Sequence, residues 1–226
     1  MNPLIKRGWL SRRPRELQDA LLRRGRAAQY AARDFVYHLS DEPAGIYGIL
    51  SGSFGLLAAT ERTEPRLGHV LHPGDWFGEG PILTGRRRTL SVQALTAAEV
   101  VYVPLNDLCT LCATTPEWHR EFAVLAAENA SLAASVAASL LLRGSEARLA
   151  AALLRVAGRT VLSPTGPLFP VRLNQKELGE VANVSRQVVN ATLRRWQQRG
   201  WIVVGYGEVV VADVESLLAR TAATDS

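Results

Sequence analysis

Residues Asn174–Ala191 read NQKELGEVANVSRQVVNA. Asparagine caps helices because its side-chain oxygen accepts an orphan backbone N–H, and Glu177, three positions after Asn174, has the reach to return the bond. Leu178, Val181 and Ala182 follow at helical spacing and predict one buried face. Gly179 permits close crossing by a second helix. Asn183 stands where the chain must turn, and asparagine tolerates the left-handed conformation. Ser185 then caps a second helix with Val189 and Leu193 on its buried side. Arg186, Gln187 and Asn190 fall near its N-terminus on the other side. This is the pattern of a helix-turn-helix, whose second helix presents its first residues to base edges in the major groove of DNA. An arginine fork matches guanine O6 and N7, and an amide matches adenine N6 and N7, so Arg186, Gln187 and Asn190 are the candidate base readers. Lys176, Ser185, Arg194, Arg195 and Arg199 are candidate phosphate contacts, which position the protein without specifying sequence.

Working outward, WIVVGYGEVVVAD (residues 201–213) holds two β-branched runs around Gly205-Tyr206-Gly207. It reads as a hairpin, either a wing against the DNA backbone or a hairpin packed on the helices. Asp213 is placed to cap a last helix through Arg220. Upstream, residues 117–142 contain neither proline nor glycine and predict one long helix. Phe122, Leu125 or Ala126, Asn129, Leu132 or Ala133, Val136 and Leu140 follow a heptad-like stripe, the candidate seam of a parallel helix pair in which Asn129 would fix the register. Arg143-Gly144-Ser145 breaks this helix, and the glycine makes a hinge chemically reasonable.

Composition limits the alternatives. The 226 residues suffice for two domains, each with a core. A net charge of +5 suits an anionic partner. Nine Lys/Arg against three Asp/Glu lie in residues 1–40, and ten against seven in residues 145–226. No uninterrupted apolar run reaches about 18 residues, so no membrane span is expected. The N-terminus lacks a signal-peptide core, which points to the cytoplasm. Cys109 and Cys112 form a Cys-x-x-Cys pair, but a closed zinc or iron–sulfur site needs about four ligands. The pair reads as two small core residues on a short helix opened by Asn106, and the competing reading is a thiol redox sensor or redox enzyme. No metal site and no catalytic constellation is expected, so the chain does not read as an enzyme.

From about Asp34 to Val103, short apolar runs alternate with glycine-bearing turns, the mark of a β-sandwich, roll or barrel. Within it lies FGEGPILTGRRRTLSVQA, residues 77–94. Gly78 allows close backbone approach. Glu79 is an acceptor suited to a ribose hydroxyl, while Arg88 and Thr89 offer donors to a phosphate. The competing reading is a Glu79–Arg88 ion pair that ties a loop to the roll. Arg86 and Arg87 read as solvated.

The order of these parts resembles the Crp/Fnr family of bacterial transcription regulators over about Trp9 to Val211. Residues 77–94 are similar to the phosphate-binding cassette of cyclic-nucleotide-binding domains, and VSRQVVN (184–190) is similar to the family's recognition helix. The resemblance implies an α+β chain with an N-terminal antiparallel, jelly-roll-like β-roll (residues 1–116), a long dimerisation helix (117–143) and a C-terminal winged helix-turn-helix (144–226). It implies an effector such as cAMP or cGMP, with Glu79 on the ribose hydroxyl and Arg88 and Thr89 on the cyclic phosphate beside Gly78. It implies a homodimer on a palindromic operator in double-stranded DNA, a guanine read by Arg186, and RNA polymerase as a partner, with the proline-bearing loop 159–170 a candidate contact. The chain departs from the pattern at several positions. Leu90 replaces a small residue, and Ala133 and Ala134 replace the purine-binding hydroxyls of the cAMP-responsive members. Gln187 replaces their cytosine-reading glutamate, and Ala191 a base-contacting arginine. Iron–sulfur members carry an N-terminal cysteine cluster, which is missing, and His38, His69, His72 and His119 read as ordinary histidines rather than haem ligands. The alternative within the same class is a DNA-binding regulator whose roll is structural and ligand-free.

Overall fold

The computed structural model describes residues 2–59 and 63–222. The chain divides into two compact units, Met1–Pro65 with Val70–Ala130, and Arg66–His69 with Ser131–Ser226.

In the first unit the decisive strand is β3 (Gly45–Ser51), because both of its faces are buried. Successive side chains point to opposite sides. Ile46 and its cross-strand partner Val103 join one cluster with Leu4, Trp9, Leu17, Leu21, Leu108 and Phe122. Tyr47, the next residue, faces the other way. It stacks on Phe77 (ring centroids 5.1 Å apart) and Tyr102 (4.9 Å). Strand β6 (Trp76–Phe77) obeys the same alternation, with Trp76 in the first cluster and Phe77 in the aromatic stack. With β1 (Arg26–Tyr30), β2 (Phe35–Tyr37), β4 (Phe54–Ala58), β5 (Arg66–Leu71), β7 (Ser91–Ala94) and β8 (Ala98–Pro104), these strands form two four-stranded sheets, β1-β8-β3-β6 and β2-β7-β4-β5. The β1–β8, β3–β8, β3–β6, β2–β7 and β4–β7 pairs are antiparallel. The expected antiparallel roll is therefore present.

The N-terminal basic segment is absorbed into this unit. Helix α1 (Arg15–Arg24) buries Leu17, Ala20 and Leu21, and two 3-10 turns before it bury Leu4 and Leu10. The Trp9 indole donates to the Glu121 carbonyl (3.0 Å). Arg12 and Arg13 pair with Glu128 (2.7 Å) and Glu121 (2.8 Å), and Arg24 with Asp107 (3.3 Å). Helix α2 (Gly80–Thr84) leads out of β6. Helix α3 spans Leu105–Thr114, beginning one residue before Asn106 with no side-chain cap.

Helix α4 (Trp118–Leu140) is the expected long helix, and two expectations about it are refined by its faces and its composition. Of the stripe Phe122, Asn129, Leu132, Val136, Leu140, Phe122 and Leu132 are buried, Asn129 and Val136 half-buried and Leu140 exposed. Phe122, Leu125 and Leu132 are buried in the chain itself, and Asn129 donates to the Trp76 carbonyl (3.3 Å). The exposed stripe is Ala123, Ala127, Ala130, Ala134 and Ala137, continued by Leu141 beyond the helix end, spaced alternately four and three. Phe122 and Leu125 join the core of the first unit, and the small residues were left outside. Secondly, α4 is long and apolar enough to match a membrane span by length and composition. Its most apolar 18-residue window has a mean hydropathy of 1.4, and 11% of that window is buried. Alanines raise the mean without forming the run of large side chains that a membrane helix shows.

In the second unit, helix α5 (Ser145–Val156) buries Leu149, Ala150, Leu153 and Val156 and packs on α6 (Gln175–Ala182), α7 (Arg186–Gln198) and α8 (Val214–Ala222). Strands β9 (Ile202–Gly205) and β10 (Glu208–Val211) form the expected hairpin. Before α5, Gly144 is extended (φ -76°, ψ 134°). Arg148 donates to the Leu142 (2.8 Å) and Arg143 (2.9 Å) carbonyls, tying that linker to the helix behind it. Asp213 caps α8 through the Ser216 N–H (3.0 Å) and hydroxyl (2.6 Å), which hold its carboxyl below the usual range.

Candidate DNA-reading and effector sites

The helix-turn-helix is built as its residue types dictate. The Asn174 side chain accepts from the Lys176 (2.9 Å) and Glu177 (3.0 Å) N–H groups, and Glu177 accepts from the Asn174 N–H (2.8 Å), a complete capping box. Asn183 is left-handed (φ 50°, ψ 52°). A Cβ at Gly179 would lie 2.7 Å from the Val184 carbonyl oxygen, so only glycine lets the chain pass so closely after the turn. Ser185 caps α7 by accepting from the Val188 N–H (3.3 Å). Val189 and Leu193 are buried, Arg186 and Gln187 are exposed, and Asn190 is half-buried. A groove of about 520 Å³ runs beside them, lined by Asn174, Lys176 and Arg186 on one side and Val204, Gly205 and Gly207 of the hairpin on the other.

The candidate phosphate contacts separate in the structure. Lys176, Ser185 and Arg194 are exposed. Arg195 is exposed as well and pairs with Glu146 (3.0 Å), whose other oxygen accepts from the Trp196 indole (2.9 Å). Arg199 lies over the Trp201 ring (5.0 Å). Spacing within one helix gave no sign of Glu146, which lies 49 residues upstream of Arg195.

In the roll, Gly78 has φ +93°, and a Cβ there would sit 3.1 Å from the Arg88 guanidinium. Glu79 and Arg88 are buried, at 8% and 4% exposure, yet among the described residues they form no ion pair with each other. Arg88 donates to the Gly78 (2.7 Å) and Gly45 (2.9 Å) carbonyls and lies 4.2 Å over the Tyr37 ring. Its buried Nε has no partner, and the Glu79 carboxylate makes no hydrogen bond among the described residues. Among the described residues the fully buried side-chain atoms without a partner include Arg88 Nε but neither Glu79 oxygen, so the carboxylate is not an orphaned buried charge. With two pinned arginine nitrogens and one unused N–H, the pair leaves an acceptor and a donor for a ligand bearing both a hydroxyl and an anionic group. Thr89 is exposed, and Arg87 pairs with Glu42 at the surface. Tyr37, 51 residues before Arg88, had no sequence signal. Burial pushes its phenol upward while Arg88 pulls it down, so it stays protonated.

Two family models match the chain, a cyclic nucleotide-binding domain over residues 27–115 and a Crp-like helix-turn-helix domain over residues 147–220. The chain belongs to the Crp/Fnr family of DNA-binding transcription regulators. It is 27% identical to a CRP-like cAMP-activated global transcriptional regulator of Mycobacterium tuberculosis, covering 77% of this chain and 79% of that one. It is 24% identical to the HTH-type transcriptional regulator Cmr of the same species, covering 96% and 84%. The structure of FixK2 from Bradyrhizobium japonicum shares the fold, with a TM-score of 0.75 at 17% identity over 89% of this chain and 99% of that one.

Within this Crp/Fnr chain the two cysteines differ. Cys112 is buried in the core, where burial first and Cys109 second push its thiol upward and away from the reactive thiolate. Cys109 is exposed, so only one of the pair is the core residue expected of both.

Proposed function

We propose that the protein is a homodimeric regulator that reads a palindromic operator through Arg186, Gln187 and Asn190 and is controlled by a cyclic nucleotide in its roll. The observation that carries the DNA half is the capped N-terminus of α7, with Arg186 and Gln187 bare beside an open groove. Lys176, Ser185 and Arg194 hold phosphates. Residues 1–116 act as the sensor, 117–143 as the dimerisation helix and 144–226 as the DNA-binding domain, in the cytoplasm. The seam is the alanine stripe of α4. A second copy is the occupant that matches an exposed apolar face with 3.5-residue periodicity, since such a repeat keeps one face turned to a supercoiled partner. The loop 159–170, which exposes Val161, is the surface offered to RNA polymerase.

Arg186→Ala is expected to weaken operator binding by about 1–3 kcal/mol and to relax preference at one base step. Binding to a set of single-base operator variants checks this. A loss uniform across all of them would mean that Arg186 touches phosphate only.

For the effector, the buried Arg88 Nε that lacks a partner, with the Glu79 carboxylate close in sequence, supports a ligand with a ribose hydroxyl and a cyclic phosphate, cAMP or cGMP, and a relative described as cAMP-activated supports the same class. Gly78 allows the close approach, and Thr89 adds a hydroxyl donor. The nucleotide supplies binding energy that differs between two states of the dimer, without which it would shift nothing. Calorimetry is expected to show binding of one of the two nucleotides, with operator affinity rising on its addition and Arg88→Ala abolishing both. A second reading, a structural roll, is favoured by Arg88's two carbonyl bonds and its contact with Tyr37. No heat and no operator effect with either nucleotide would establish it instead.

A further inference from the structure

The hairpin β9–β10 carries one charged side chain, Glu208, and this is paired with Arg172 (3.1 Å). At its tip Tyr206 and Gly207 make the turn, with Gly207 at φ +74°, the residue order of a type II turn. Tyr206 is 108% exposed, so nothing in its own chain covers the ring. Behind it the cross-strand partners Val203 and Val210 are 57% and 37% exposed. The groove beside this tip is shared with Lys176 and Arg186, which makes the hairpin continuous with the DNA-reading face. A hairpin that gripped phosphates would need cations. This one has none, and its single carboxylate is neutralised by Arg172. The apolar surface that duplex DNA offers beside its phosphates is the C–H face of deoxyribose along the groove rim.

We propose that Tyr206 is a DNA-contacting residue whose ring packs on deoxyribose at the edge of the half-site, supplying affinity that salt does not screen. This rests on α7 being the DNA-reading helix, and the test separates the two claims. The full-length protein is titrated against a fluorescein-labelled duplex recovered by selection from random sequence, at several salt concentrations. Tyr206→Ala is expected to weaken binding about tenfold at every concentration, the scale of one lost aromatic contact, with the slope of log K against log salt unchanged. Tyr206→Phe is expected to stay within about twofold of the wild type, because the contact is the ring. Circular dichroism checks that so exposed a substitution leaves the fold intact. Wild-type affinity in Tyr206→Ala would overturn the proposal and make the tip a protein-docking surface. An equal loss in Tyr206→Phe would overturn it in favour of a hydroxyl–phosphate bond, and a shallower salt slope would overturn it by tracing the loss to a displaced ionic contact. Arg186→Ala on the same duplex is the control. If neither variant loses affinity, the DNA face is misassigned; if only Arg186→Ala does, the tyrosine contact alone fails.

Discussion

Replacing Ala130 and Ala134 together with glutamate is expected to convert the protein to a monomer and to cut operator affinity by about 100-fold or more, the scale of a lost second binding module. Both alanines are exposed in the single chain, so the fold of each chain should survive. In a dimer built on the alanine stripe they meet their counterparts across the seam. Four carboxylates would then be brought together in an apolar contact, and each buried charge costs several kcal/mol unless it is paired. The seam has no cation to pair them: from Ala123 to Leu141 every exposed position is alanine, serine or leucine. A monomer keeps one recognition helix and loses the second half-site, and with it the gain from tethering. Sedimentation checks the mass and operator titration the affinity. A dimer that persists at micromolar concentration would place the interface elsewhere, and Phe122 and Leu132 are poor substitutes because both are already buried within their own chain.

Trp196→Ala is the second large effect. Trp196 is fully buried at the heart of the DNA-reading unit, and its indole N–H donates to Glu146 on α5. Truncation of a buried tryptophan costs about 3–5 kcal/mol through lost contacts and a cavity. Against a typical total of about 5–15 kcal/mol, that removes roughly a third of the stability or more and lowers the unfolding midpoint sharply. Urea unfolding followed by circular dichroism measures it. Trp196→Phe separates the two contributions. It keeps most of the ring contact and removes the indole donor from Glu146, whose side chain is 34% exposed so that water can take the donor's place, a loss of about 0.5–1.5 kcal/mol. A phenylalanine variant as unstable as the alanine variant would mean that the hydrogen bond to Glu146 contributes more than the packing of the ring.

Much of the DNA-reading unit was legible in the chain because it is local. Asn174 and Glu177 cap one helix from three residues apart, and Asn183, Ser185 and Gly179 each act within a turn of their own position. Residue type and spacing therefore sufficed, and the structure has each where the chemistry required it. The strands of the roll were legible for the same reason, although β1 and α1 were not, because RAAQY and the basic N-terminal segment carry little apolar periodicity. Contacts across long separations were hidden. Glu146 pairs with Arg195, Tyr37 lies beneath Arg88, and acidic residues on α3 and α4 take up the N-terminal arginines.

The long helix shows where the division falls. The sequence by itself determined that residues near 117–142 are one helix, since no proline or glycine interrupts them, and that an apolar repeat runs along it. Two apolar stripes one residue apart fit that repeat equally well. Only the tertiary structure decided between them, because Phe122, Leu125 and Leu132 are the ones buried, and larger side chains have more surface to remove from water. That leaves the alanines outside, where their small size lets a second helix come close.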